Sequence, residues 1–204
     1  MNNYVYILDG GAYVNLTNKC GNACSFCIRL TGDGVKDTPL WLDRDATTDE
    51  VIEQFAELKD KLTKYEVVFC GYGEPTENLA VLKECAAFFK EMGYQTRLNT
   101  NGLGSLAAGR DITPELKDII DTASVSLNNH NAQKYYELTN STYGLKAHGG
   151  VIDFALGCKK QGIDTVFTVV DTIGESDIAE CRALAEKLGI PLRVRKYIPN
   201  NYKD

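Results

Sequence analysis

The sequence predicts an α/β fold: a partial (βα)6-type TIM barrel with parallel strands, laterally open and preceded by an N-terminal β-hairpin. Three observations predict it. A glycine turn joins two extended runs at the start of the chain. Beyond it, short β-branched and aromatic runs alternate with segments whose apolar residues fall at helical spacing, the pattern of parallel strands linked by helical crossovers. The alternation has too few units for a complete eight-fold barrel of roughly 250 residues, so the sheet is expected to stay open along one side.

The elements follow in order. Tyr4 to Leu8, then Asp9-Gly10-Gly11, then Ala12 to Thr17 reads as a hairpin. Thr47-x-x-Glu50 has capping-box spacing, and Val51, Ile52, Phe55, Leu58 and Leu62 follow at helical intervals. Val67 to Cys70 is a strand, and Leu82, Cys85, Ala86 and Phe89 form a helical stripe that ends at Gly93. Thr96 to Thr100 returns as strand, and Thr113-Pro114 opens a helix as N-cap followed by proline. Ala123 to Asn128 is the next strand. Val151, Phe154, Ala155 and Cys158 face inward on a helix ending near Gly162, and Thr165 to Val170 is extended. Ile178, Cys181, Ala185 and Leu188 stripe the last helix before Gly189, and Leu192 to Tyr197 closes the series. The expected organisation is one domain over residues 1–204: a hairpin strand at 1–11, the barrel at 12–198 and a tail at 199–204.

Composition narrows the function. With a formal net charge of -6 and a pI near 5.0, and with Lys and Arg scattered, the chain lacks the basic stripe that tracks phosphates, so duplex nucleic acid is excluded as a partner. No stretch approaches the ~18 apolar residues of a membrane span, and the N-terminus lacks a basic region followed by an apolar one. A cytoplasmic, membrane-free protein is the expectation. Seven cysteines are an odd number, and a reducing compartment disfavours disulfides. Cys70, Cys85, Cys158 and Cys181 sit in apolar patterns and read as core residues.

The other three share one polar loop. Asn18-Lys19-Cys20-Gly21-Asn22-Ala23-Cys24-Ser25-Phe26-Cys27 places three thiols within eight residues, directly after a strand, at the end where α/β folds put ligands. Gly21 and Ala23 let the backbone bend closely around a bulky group. Three cysteines are one short of a fully ligated cubane cluster, which leaves one iron open to an outside chelate. A structural zinc site needs four ligands, so that alternative requires His130 or His148 to fold inward.

The CxxxCxxC spacing of Cys20, Cys24 and Cys27, with Phe26 before the last, resembles the motif of the radical S-adenosylmethionine (SAM) superfamily. The resemblance implies a [4Fe-4S] cluster whose open iron takes the amino and carboxylate groups of SAM, and reductive cleavage of SAM to a 5′-deoxyadenosyl radical that abstracts hydrogen from a substrate. Gly71-Tyr72-Gly73-Glu74-Pro75 is similar to the family's GGEP segment, which implies contacts to the methionyl ammonium; alone it is a turn. Asn99-Thr100-Asn101-Gly102 resembles the family's (D/E)TNG segment, with Asn99 in the acidic place, and alone is also a turn. By position Ser126 and Asn128 resemble ribose contacts. Thr168 is a candidate for the SAM carboxylate and Arg195 for a substrate anion. Lys19 and Arg29 flank the cysteine loop, and His130, Tyr135 and Tyr136 follow the fourth strand, where they are candidates to line a substrate mouth and a solvated helix start is the more ordinary reading.

The chain also looks like the compact radical SAM proteins encoded beside TatD-type hydrolases, which implies a functional link to such a hydrolase, and more distantly like glycyl-radical activating enzymes and 7-carboxy-7-deazaguanine synthase. A flavodoxin- or ferredoxin-type reductant and a small-molecule or peptide substrate are the implied partners. Two alternatives stand beside this: an activator that installs a glycyl radical on a partner protein, and a non-catalytic iron-sulfur or zinc module.

Overall fold

A computed structural model describes residues 2–30, 32, 34–36 and 38–197. The expected tail at 199–204, and residue 198 at the end of the expected barrel, lie outside the described residues. The hairpin is β1 (Val5–Leu8) and β2 (Gly11–Val14), turned through Asp9 and Gly10, both at positive φ. A two-stranded ribbon, β3 (Gly34–Val35) and β4 (Thr38–Pro39), follows the cysteine loop. Strands β5 (Glu66–Phe69), β6 (Gln95–Thr100), β7 (Thr122–Ser126), β8 (Asp164–Val170) and β9 (Leu192–Arg195) complete the main sheet. The helices are α1 (Thr48–Leu58), α2 (Leu79–Glu91), α3 (Gly104–Ala108), α4 (Thr113–Leu116), α5 (Ala132–Thr139), α6 (Lys146–Lys160) and α7 (Glu175–Leu188).

The seven-stranded sheet runs β1-β2-β5-β6-β7-β8-β9, with β1 antiparallel to β2 and every later pair parallel. Sequential order with helical crossovers is the open partial barrel expected, since each right-handed crossover sets the new strand beside the last. Register fixes what shares a level at the carboxyl ends: Val14 lies opposite Phe69, Thr100 opposite Val125, Ser126 opposite Thr168 and Thr168 opposite Arg193. Among the described residues no helix is long and apolar enough to cross a membrane.

Period-two alternation divides the sheet. Ala12, Val14, Val67, Phe69, Leu98, Ala123, Val125, Phe167 and Val169 point to the helices and join the main core, with Phe55, Leu82, Phe89, Val151 and Phe154 from the other side. The capping box forms, Thr47 Oγ1 accepting from the Glu50 N–H while Glu50 Oε2 accepts from the Thr47 N–H at 3.3 Å. On the concave side Tyr6, Leu40 and Tyr72 make a second small cluster over β1 and β2, with Tyr13 and Val35 beside it.

Several expectations change. Cys85, Cys158 and Cys181 are core residues, but Cys70 is only half-buried, because alternation turns it with Val68 to the concave face. Strand β7 stops at Ser126, and Asn128 sits beyond it at φ +57, so Ser126 and Asn128 do not continue one strand face. The ribbon β3–β4 and the short helix α3 have no periodic signal, being too short to show one.

Candidate active site

The three cysteines lie in the loop that follows β2, at the carboxyl end of the parallel sheet. Three neighbours pin this loop. The Ala23 and Ser25 N–H groups donate to the Thr139 and Leu138 carbonyls at the end of α5, at 2.8 and 3.0 Å. Asn22 Nδ2 donates to the buried Tyr135 hydroxyl at 3.3 Å. The Glu74 N–H donates to the Lys19 carbonyl at 2.8 Å, which joins the loop to the Gly71–Glu74 turn. Tyr135 therefore holds the cysteine loop from within the core and does not line a mouth.

The thiols stand in each other's field. Burial first, then the neighbouring Cys27 and Cys20, push the Cys24 thiol up to about 12, and burial also raises Cys20. Among the described residues no three His, Cys, Asp or Glu side chains close around a single point as a lone metal ion requires. A cubane asks for a different arrangement, because each thiolate ligates its own iron and the sulfurs stand apart around the cluster. Three half-buried thiols on one braced loop, with neither histidine beside them, fit that donor set better than zinc; His148 is buried under Asn129, its Nε2 3.1 Å from that carbonyl.

The Gly71–Glu74 turn explains its glycines sterically. A Cβ on Gly71 would lie 2.0 Å from Asn15 Oδ1, and one on Gly73 would lie 2.2 Å from the Thr17 carbonyl oxygen and 2.7 Å from that of Lys19. No hydrogen bond among the described residues occupies the Gly71 or Gly73 carbonyl, while the Tyr72 carbonyl accepts from Arg29 Nη1 at 3.4 Å. The Tyr72 ring is buried edge-on to Trp41, centroids 5.0 Å apart, so only the backbone of Tyr72 remains for a ligand. Arg29 also donates to the Asn18 carbonyl at 3.1 Å and lies over Trp41. It ties the cysteine loop to the glycine turn, a task its sequence neighbourhood does not announce.

Glu74, 4% exposed, is a hub. Its Oε1 accepts from the Thr76 N–H at 3.2 Å, from Thr76 Oγ1 at 2.7 Å and from Thr100 Oγ1 at 2.7 Å; its Oε2 accepts from the Asn101 N–H at 2.7 Å. Burial raises its pKa, with the four hydrogen bonds acting in the opposite direction. Glu74 and Thr100 thus bind each other, and Thr100 faces the helix side with Leu98, its oxygen also accepting from the Gly102 N–H at 3.0 Å. A second link was not legible: Asn101 Nδ2 donates to Cys20 Sγ at 3.7 Å. Asn99 faces the concave side with a buried Oδ1 that has no partner. Ser126 and Thr168 face it too, side by side in register, and Asn128 is buried with its N–H on the Thr168 carbonyl at 3.3 Å. Phe26 is half-buried within the cysteine loop.

This is an α/β sheet whose carboxyl edge gathers three thiols, a glycine turn with free carbonyls and an amide oxygen without a partner. The radical SAM superfamily model matches residues 14–187, and the chain belongs to that superfamily. The family uses an iron-sulfur cluster and SAM. A curated relative, the uncharacterized protein MJ0804 of Methanocaldococcus jannaschii, is 29% identical over 131 residues, 64% of this chain and 38% of that protein. Streptococcus suis SuiB bound to its precursor peptide SuiA superposes with a TM-score of 0.67 at 17% identity, covering 91% of this chain and 39% of SuiB. A radical SAM methyltransferase from Sphaerobacter thermophilus gives 0.63 at 18%, covering 94% of this chain and 68% of that one. The chain thus spans less than half the length of MJ0804 and of SuiB, and at these identities the structural likeness shows the fold alone.

Proposed function

We propose that this chain holds a [4Fe-4S] cluster through Cys20, Cys24 and Cys27 and cleaves SAM reductively, using an electron from a flavodoxin- or ferredoxin-type donor, to act on a small-molecule or peptide substrate. The observation that supports it most is the bracing of three thiols on one loop against the glycine turn, by the Glu74 N–H to Lys19 carbonyl bond and by Arg29. When bound, the cluster supplies one electron to the sulfonium of SAM, splitting its S–C5′ bond to methionine and a 5′-deoxyadenosyl radical.

The chain's own residues bind and orient. The free carbonyls of Gly71 and Gly73 suit the three donors of an ammonium. The unpartnered Asn99 Oδ1 and the Ser126 and Thr168 hydroxyls offer mixed donors and acceptors for ribose and carboxylate groups. Glu74 and Arg29 keep the two loops at fixed spacing, so chelate and ammonium sites stay in register. The site is proposed to work in the cytoplasm, with the link to a TatD-type hydrolase part of the same proposal.

The test is anaerobic cluster reconstitution, dithionite reduction and addition of SAM, with 5′-deoxyadenosine scored by chromatography. Cleavage that Cys20→Ala, Cys24→Ala and Cys27→Ala each abolish, and that Cys85→Ala retains, is expected. A chain that takes up no cluster, or a cluster indifferent to SAM, sinks the proposal in favour of a binding module.

A further inference from the structure

The concave face of the sheet has two halves. Over β1 and β2 it is closed by Tyr6, Leu40 and Tyr72. From β6 to β9 it is mostly polar, with Val166 and Val170 of β8 among the polar side chains. Leu192 and Val194 pack against the helix-side core, so Arg193 and Arg195 turn the other way, onto the face that Arg97, Ser124 and Thr168 also line. Three guanidinium groups therefore share one face of a chain whose net charge is -6.

Little offsets them. Glu66 Oε1 accepts from Nε and Nη2 of Arg97 at 2.9 and 2.6 Å. Arg193 Nη2 donates only to the Ser124 hydroxyl, at 3.3 Å. Among the described residues the Arg195 side chain has no hydrogen bond or ion pair, and its charge acts on the Cys70 thiol. Asp171, at the end of β8, has its Oδ1 committed to the Tyr197 N–H at 2.9 Å. Both Arg193 and Arg195 are exposed; partial desolvation, then repulsion from Arg97 and Arg195, lowers the Arg193 pKa, with Tyr13 and Glu66 acting the other way. Arginine stays charged regardless, so the like charges persist in the ligand-free fold. A guanidinium fork matches an oxyanion two oxygens at a time, and two forks two residues apart on one strand, level with Thr168 and Val170, face one direction.

We propose that Arg193 and Arg195 bind an oxyanion of the substrate, a carboxylate or phosphate group, on the concave face beneath the cysteine loop, with Ser124 and Thr168 as neutral neighbours. What then happens to that substrate rests on the radical chemistry proposed above. Arg195 stands at the rim, opposite the last residue of β8, and Arg193 one step deeper, so an anionic group enters past Arg195 and leaves the rest of the molecule toward the cysteine loop.

The test titrates pyrophosphate, and separately malonate, into the full ¹⁵N-labelled chain purified anaerobically. It reads the side-chain Nε–H signals of Arg193 and Arg195, assigned by Arg193→Gln and Arg195→Gln. Saturating shifts at both arginines are expected; the Arg195 signal in Arg193→Gln and the Arg193 signal in Arg195→Gln then titrate with affinity weakened at least tenfold, and Arg182→Gln, an exposed arginine on α7, changes neither. A response to pyrophosphate alone assigns a phosphate-bearing substrate, and one to malonate alone a carboxylate. Unmoved signals, equal loss on Arg182→Gln, or shifts caused by SAM but by neither probe overturn the proposal. Should a single variant misfold, the wild-type shifts decide. Anion binding requires no SAM cleavage, so a failure here leaves the radical reading standing, and a missing 5′-deoxyadenosine leaves the anion site still measurable.

Discussion

Thr100→Val separates an internal strut from a ligand contact. Valine keeps the shape of threonine, so no cavity opens, but the hydroxyl that donates to Glu74 Oε1 at 2.7 Å and accepts from the Gly102 N–H at 3.0 Å disappears. Both partners are buried. A hydrogen bond to a charged group contributes about 1.5–3 kcal/mol, and a stranded buried N–H costs about 1–3 kcal/mol. Because Glu74 keeps three other donors, the lower part of each range applies, giving a loss of about 3 kcal/mol. For a chain of this size that is roughly 6–12 °C in Tm. Urea and thermal unfolding of the cluster-free chain measure it, with Thr100→Ser, which keeps the hydroxyl, losing about 1 kcal/mol through its missing methyl. If the Thr100 hydroxyl serves SAM and not Glu74, the cluster-free valine variant is as stable as wild type. A loss below about 1 kcal/mol therefore refutes the strut.

Three further outcomes are expected. Asn101→Ala removes the N–H donor to Cys20 Sγ and, with hydrogen bonds to sulfur raising cluster potentials, shifts the cluster midpoint negative by on the order of tens of millivolts in a potentiometric titration read by electron paramagnetic resonance. Gly73→Ala drives a methyl into the Thr17 and Lys19 carbonyls and costs ~3 kcal/mol or more by urea unfolding, whereas Gly149→Ala, with open space around it in α6, stabilises by roughly 0.5–1 kcal/mol. Burial favours a raised Asp121 pKa, but bonds from Lys90 at 2.6 Å and from the Thr96 N–H at 2.8 Å outweigh it and hold the carboxyl low. A depressed carboxylate stabilises above its unfolded value of 3.8 and loses that contribution as pH falls through the folded value. Asp121→Asn therefore costs about 1 kcal/mol at pH 7, discounted for solvent screening, and the gap to wild type closes on acidification below 3.8 in pH-dependent unfolding.

Local chemistry was legible in the sequence because it is local. Alternating and helical periodicities assigned strands β5 to β9 and helices α1, α2, α6 and α7, and the spacing of Cys20, Cys24 and Cys27 placed three thiols in one loop whatever the rest of the chain did. Glycine placement in Gly71-Tyr72-Gly73 was visible too, but not its cause, since the close approach is made by Asn15, Thr17 and Lys19, more than fifty residues earlier. Tertiary structure alone decided how the loops are joined. Strand register set Thr100 toward Glu74 and away from the concave face, moved Cys70 out of the core, and brought Asn101 to Cys20 across 81 positions of sequence. It also gathered Arg97, Arg193 and Arg195, scattered along an acidic chain, onto one face. A period of two residues tells which side chains share a face within a strand, but only the pairing of parallel strands through their crossovers tells which faces meet.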